Sequence, residues 1–302
     1  MRVMVTGGAG FIGSHVVDAL AGIGATISVL DSLYTGSIEN IQQRVNFYRG
    51  DLLDGEFVYQ CVQKECPEVI IHHAARVSVP KSLVNPAEDA GTNIVGSVNL
   101  IEAARACRVR KVIYASSAAV YGSPDYLPVD ENHPVKPLSG YGLSKHTVER
   151  YLELYNDLYG LDYTVLRYAN VYGPRQDAQG EGGVVSIFFD CINRGVQPVI
   201  HGDGNQTRDF VHVSDIAAAN LCAINKGGGN TLNISTASPV TINSLFEIIK
   251  AATGYGGDAL YDSPRPGDIR DSWLDCARAA SVLDWSARLA LEQGIGETLK
   301  KF

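Results

Sequence analysis

The residues after the first apolar run constrain this chain more than any others. Val3-Met4-Val5 passes directly into Gly7-Gly8-Ala9-Gly10-Phe11-Ile12-Gly13, where Gly8 to Gly13 satisfies G-x-G-x-x-G and Gly7, Gly10 and Gly13 stand three apart. A strand that turns this sharply into a helix needs residues without Cβ. The backbone must approach an anion closely, and the helix must pack tightly on the strand. The N–H groups and dipole at the helix start then favour a phosphate. No Walker pattern is present, so a dinucleotide met by backbone fits better than a nucleoside triphosphate. Asp31 closes a second β-like run, Thr26–Asp31, 18 residues beyond Gly13. A carboxylate there accepts from the hydroxyls of an adenosine ribose. Ser32, Leu33 and Tyr34 follow and bring no cation for a 2′-phosphate, which favours NAD over NADP.

Strand and helix signals alternate from that turn onward. Extended runs recur at 45–48, 69–71, 112–115 and 163–166, and helical periodicity fills 54–65, 86–107 and 141–159. Apolar strands separated by helices argue for a parallel sheet with right-handed crossovers. The fold expected is α/β: a Rossmann-type doubly wound parallel sheet over 1–169, with return segments near 208–225. After residue 170 the rhythm loosens. Residues 173–183 read as loop, Gly227-Gly228-Gly229 and 263–268 as breaks, with helical stretches near 184–194, 214–225, 241–252 and 289–301. This pattern predicts a smaller, interleaved α/β substrate-binding domain over 170–302.

Composition narrows the function classes. At 302 residues, 45% hydrophobic and 19% charged, the chain can bury a large core. Its 33 acidic against 25 basic residues, net −8, give no general electrostatic footprint for nucleic acid. The six cysteines form no CxxC and read as reduced thiols of a cytoplasmic protein. No run is long and apolar enough to span a membrane. His72-His73 invites a metal reading, but adjacent residues on a strand point to opposite faces, and no metal is expected.

Tyr141 and Lys145, four apart in a helical segment, share one face. A neighbouring ammonium favours a phenolate over a phenol, which suits a general base. Ser117, just past the 112–115 strand, can share the proton of a substrate alcohol. Hydride leaves a carbon only if its hydroxyl also loses a proton, and Ser117, Tyr141 and Lys145 beside a nicotinamide would supply that chemistry. Asp51 follows the third strand and reads either as a helix cap or as a contact to the adenine edge.

Several longer motifs carry a resemblance over nearly the whole chain. They are Thr6–Gly13, Asp51-Leu52, His73-Ala74-Ala75, Ser116–Gly122, Tyr141–Lys145, Leu166–Arg175, Arg208–Val213 with Asp215, and Arg265-Pro266-Gly267-Asp268. With these the chain resembles the extended short-chain dehydrogenase/reductases and, within them, the UDP-glucose 4-epimerases. The resemblance implies that Tyr141 is the base, that Lys145 holds the nicotinamide ribose and that Ser117 touches the sugar. It places Gly7, Gly10, Phe11, Ile12, Gly13, Asp31, Asp51, Leu52, Ala74, Ala75, Lys81, Asn93 and Tyr168 around NAD. Asn170, Val185, Arg208, Arg265 and Asp268 would hold the UDP portion of a UDP-sugar, where guanidinium forks suit a diphosphate.

Such an enzyme oxidises C4 of a UDP-hexose, lets the 4-keto sugar rotate and returns hydride to the opposite face. Related dehydratases carry acidic residues where this chain has Ala118-Ala119, and methyl groups cannot serve as an acid or base. Ser272 precedes Trp273 where many glucose- and galactose-restricted epimerases have a tyrosine, which leaves room for N-acetylhexosamines, and a uronate is a further alternative. A catalytically silent NAD-binding sensor is the reading from a different class. A homodimer is expected through helices 86–107 and 143–159, with Leu100, Ala103, Ala104, Leu152 and Leu154 as its apolar contacts.

Overall fold

Val3 and Val5 point to one face of the first strand and Met4 to the other, and all three are buried. A strand covered on both faces belongs at the centre of a parallel sheet. The computed structural model of the chain describes residues 1–178, 183–265 and 269–300. It places β1 (Arg2–Thr6) between β2 (Thr26–Asp31) and β4 (Val69–His72). Outward lie β3 (Asn46–Arg49) on one side, and β5 (Lys111–Ser117), β6 (Asp162–Tyr168) and β10 (Asn230–Ile234) on the other. All neighbours in this seven-stranded sheet run parallel. Strand order reverses at β1, which opens a crevice at its C-terminal end.

Helices cover both faces. On one lie α1 (Phe11–Gly22), α8 (Val213–Ala223) and α10 (Ala277–Leu283), contributing Val16, Val17, Leu20, Ile216, Ala219 and Leu283 to the core. On the other lie α2 (Gly55–Glu65), α5 (Gly96–Ala106) and α6 (Gly140–Tyr159), with Val58, Val62, Leu100, Val148 and Leu152. Each Val, Leu or Ile side chain among them stabilises the fold by roughly 1.5–3 kcal/mol when fully buried. The expected helix 86–107 is composite. α4 (Pro86–Ala90) joins α5 through one wide π turn, Gly91–Val95. α3 (Val79–Val84), started by a Ser78 cap, carries no strong periodic signal in the sequence.

The remaining elements build a smaller unit at the same end of the sheet. β9 (Thr207–His212) pairs parallel with β7 (Asn170–Tyr172) and β13 (Asp271–Ser272), and antiparallel with β11 (Pro239–Thr241). α7 (Val184–Asn193), α9 (Ile242–Thr253) and α11 (Leu291–Leu299) enclose a second core around Phe188, Phe189, Phe210, Leu245, Phe246 and Ile295. A parallel pair, β8 (Val199–His201) with β12 (Leu260–Asp262), edges it. The chain returns to the large sheet beyond 208–225, because 230–234 also joins it as β10. Four of the five apolar residues expected at an interface pack inward instead: Leu100, Ala103, Ala104 and Leu152 are buried against their own sheet. Leu154 is exposed, with Val95, Leu143 and Leu158. Period alone could not say which side of a helix meets the sheet.

Candidate active site

The glycine turn holds the conformation its composition implies. Gly7 adopts φ +69°, and a Cβ there would stand 2.6 Å from the Ala74 nitrogen. A Cβ on Gly13 would run into the Gly7 carbonyl oxygen. The Gly10 N–H donates to the Gly7 carbonyl at 3.1 Å, and α1 begins there with no side-chain cap. Its first N–H groups therefore face the crevice, where the helix dipole favours an anion. Asp31 ends β2 beside this turn, accepting from the Ala9 N–H at 2.9 Å and the Leu33 N–H at 2.8 Å. Burial pushes its carboxyl pKa up against those two bonds. A carboxylate has about four acceptor sites, so capacity for ribose hydroxyls remains.

These residues line a cleft of about 940 Å³ that runs from Asp51 and Leu52, past Gly7, Gly10, Phe11, Ile12, Gly13, Ala74 and Ala75, to Tyr141, Lys145 and Tyr168. Asp51 does not cap α2; Asp54 does, accepting from the Phe57 N–H. The Asp51 carboxylate instead takes the Leu53 N–H at 3.0 Å and borders the cleft.

At the far end, Ser139 caps α6 and presents Tyr141 one residue into the helix. Lys145, one turn on, is buried and donates to the Ala115 carbonyl at 2.8 Å, with Nζ 5.9 Å from the Tyr141 ring centroid. Ser117 ends β5, its hydroxyl accepting from the Ala119 N–H at 3.2 Å. Tyr168 ends β6, where burial pushes its phenol pKa up; its oxygen accepts from Asn220 at 2.8 Å and stands 3.2 Å from His73 Nε2. His73 is held neutral, its pKa lowered to about 3 by burial and then by Lys145. His72 turns to the other face, bonding Thr6 and Ser97. Among the described residues no three metal-ligating side chains converge.

A second cavity of about 870 Å³ shares Phe11, Ile12, Ser116, Tyr141 and Tyr168 with the cleft. It adds Ser117, Asn170, Val185, Gln176 and Phe210. Arg208 stands two residues before Phe210 on β9, donating to the Thr207 and Arg270 carbonyls at 2.7 and 3.2 Å. Ser272 pairs with Arg208 across β9 and β13. Arg265 is exposed, and Asp268 lies outside the described residues. Two expected cofactor residues fall away from the cleft. Lys81 is exposed and borders a smaller neighbouring cavity. Asn93 is buried behind the wall, accepting from the Arg76 N–H at 2.7 Å and donating to its carbonyl at 2.9 Å. Tyr34, Arg76, Thr92 and Gln176 also line the cavities, though no sequence motif assigns them a role. Arg76 directly follows His73-Ala74-Ala75, whereas Thr92 lines the cleft from the π turn, which no periodicity announces.

Known proteins resemble this chain over its whole length. A UDP-glucose 4-epimerase of Mycolicibacterium smegmatis is 42% identical over 309 residues, spanning 100% of this chain and 98% of its own. The UDP-glucose 4-epimerase of Thermotoga maritima, solved with UDP-glucose, is 44% identical with TM-score 0.98, covering 100% of this chain and 98% of that one. The Thermus thermophilus enzyme, solved with NAD, is 38% identical with TM-score 0.94 over 100% and 98%. The family model of NAD dependent epimerases/dehydratases matches residues 3–235. From that match and these relatives, the chain belongs to the NAD dependent epimerase/dehydratase family.

Proposed function

We propose that the protein is an NAD-dependent 4-epimerase of UDP-hexoses, with UDP-glucose and UDP-galactose as its substrate pair. The observation that carries this reading is the position of Tyr141, in the wall common to the glycine-turn cleft and the Ser117–Asn170–Val185 cavity. The residues present fit NAD: an uncapped helix start for a diphosphate, Asp31 for the adenosine ribose, and a cleft that ends on a tyrosine and a lysine. When bound, NAD would supply reversible hydride acceptance at C4. Tyr141 removes the proton of the 4-hydroxyl and later restores it, Ser117 orients that oxygen, and Lys145 steadies the phenolate and the nicotinamide ribose. Asn170, Val185, Arg208, Arg265 and Asp268 hold the UDP portion, so the sugar can turn while its diphosphate stays fixed. Residues 1–169, joined by α8, β10 and α10 on the large sheet, serve the cofactor, and the remaining elements of 170–302 serve the nucleotide sugar. Methyl groups at Ala118 and Ala119 provide no second acid for water elimination.

Ser272 favours a second substrate class. It is half-buried opposite Arg208, and its small side chain leaves space for an N-acetyl group. Turnover on UDP-galactose, UDP-N-acetylgalactosamine and UDP-galacturonate at equal enzyme decides between them. No epimerisation of any of the three would refute the reading.

The protein forms a homodimer through helices 86–107 and 143–159. Val95, Leu143, Leu154 and Leu158 are exposed there, and the last three lie along one stripe of α6. Sedimentation equilibrium should give twice the chain mass at micromolar concentration, and Leu154→Glu should lower it. No helix among the described residues is long and apolar enough to cross a membrane. Six free thiols support residence in the reducing cytoplasm.

A further inference from the structure

Two guanidinium nitrogens of Arg76, Nε and Nη1, are shielded from solvent and have no hydrogen-bond partner. Nη2 is engaged by Glu88 at 3.2 Å. The Tyr34 ring covers the guanidinium, 3.1 Å from its central carbon to the ring centroid. Two N–H-bearing nitrogens taken from water with no acceptor are unfavourable until an anion accepts from them. Arg76 lines both the dinucleotide cleft and the cavity beside it, while Lys81, expected at the diphosphate from the sequence, borders only the latter. The other cation of the cleft wall, Lys145, is at the Tyr141 end and donates to Ala115. The anchorage is firm, since Asn93 grips both backbone polar groups of Arg76.

Topology fixes what this pair spans. Tyr34 follows β2 and Arg76 follows β4, and β1 lies between those strands. Gly36, two residues past Tyr34, packs so closely on Ala9 and Gly10 that a Cβ there would stand 2.9 Å from the Ala9 carbonyl carbon. The stack therefore crosses the cleft above the glycine turn, where a dinucleotide carries its diphosphate.

We infer that Tyr34 and Arg76 form a latch over the bound dinucleotide, in which Arg76 pairs with the diphosphate and the closed stack slows NAD release. The inference rests on the NAD reading above. A phosphate oxygen accepts from the two unpartnered guanidinium nitrogens, and the tyrosine ring keeps water from competing. Retention matters for an enzyme that must return hydride to the same sugar it oxidised. A 2′-phosphate is the other source of the same chemistry, but Asp31 places a carboxylate on the ribose side.

The test is exchange of bound NAD for labelled NAD in the purified holoprotein. Arg76→Gln should speed exchange by about 10- to 100-fold, the range of a charge-assisted hydrogen bond. It should weaken ADP-ribose binding by a similar factor and leave adenosine binding unchanged. Tyr34→Ala should speed exchange several-fold, while Tyr34→Phe, which keeps the ring, should not. If Arg76→Gln is recovered unfolded, Arg76→Lys carries the test. It keeps the charge but loses the fork, and exchange must still rise several-fold. Exchange within twofold of wild type in a folded variant overturns the inference, as does equal loss of adenosine binding. So does a wild type that binds NADP as tightly as NAD and loses only NADP in the variant. A wild type that neither carries nor takes up NAD overturns the cofactor reading itself, and the latch with it.

Discussion

Glu149 holds Arg167 through two hydrogen bonds, 2.9 Å to Nε and 2.6 Å to Nη2, one helical turn past Lys145. Both side chains are buried, and the same carboxylate accepts from Ser116 at 2.5 Å. This clasp ties α6, which carries Tyr141 and Lys145, to the ends of β5 and β6. Burial opposes the Glu149 charge, but the bonds from Arg167 and His146 overcome it and hold the pKa below the ordinary glutamate value. Its stabilisation is complete above the unfolded pKa, about 4.3, and is lost as pH falls through the lower folded value. Glu149→Gln strands the buried guanidinium and should cost ~3–5 kcal/mol in urea unfolding at pH 7. A loss under 1 kcal/mol would show that water already reaches the pair.

Two half-buried histidines predict a second acid effect at higher pH. His15 is lowered to about 4 and His73 to about 3, each chiefly by burial. Their unfolded forms bind protons first as pH falls, so stability is full above about 6.5 and declines toward the folded values. Each contributes a slope of up to about 1.4 kcal/mol per pH unit. Urea unfolding at pH 7.5 and 5.5 should show the decline, and His15→Gln should make it shallower.

Tyr141→Phe retains the ring and removes the proposed proton acceptor. kcat and kcat/KM should fall together by about 10²–10⁴ with bound NAD unchanged. Ser117→Ala should be milder. On the proposed roles, Lys145→Met should slow turnover and also loosen NAD, because it takes one partner from both the phenolate and the ribose. A folded, NAD-loaded Tyr141→Phe protein with more than about a tenth of wild-type kcat would remove Tyr141 from the mechanism.

Gly13→Ala places a methyl group against the Gly7 carbonyl oxygen, and neither backbone can retreat without opening the turn. The variant should purify without NAD and melt below the wild type. Gly22→Ala, where a Cβ meets nothing within 4 Å, is the control and should leave both unchanged.

The sequence by itself determined the parallel sheet, the phosphate turn and the Tyr141–Lys145 face. Each of these depends on local rules: alternation buried on both strand faces, glycines where a Cβ has no room, and a four-residue helical step. Elements whose identity depends on distant partners were decided only by tertiary structure. β10 is five residues long and becomes a strand because β6 offers an edge. Leu100 and Leu152 face the sheet rather than a partner chain because their helices lie flat on it. Asn93 supports the cleft wall from behind, through a π turn no periodicity reveals. Arg76 lines the cleft and Lys81 does not, and Tyr34, 42 residues away in the chain, supplies the ring Arg76 stacks on. Residue type and spacing record what one segment can do, whereas side-chain direction is set by whatever the rest of the chain packs against it.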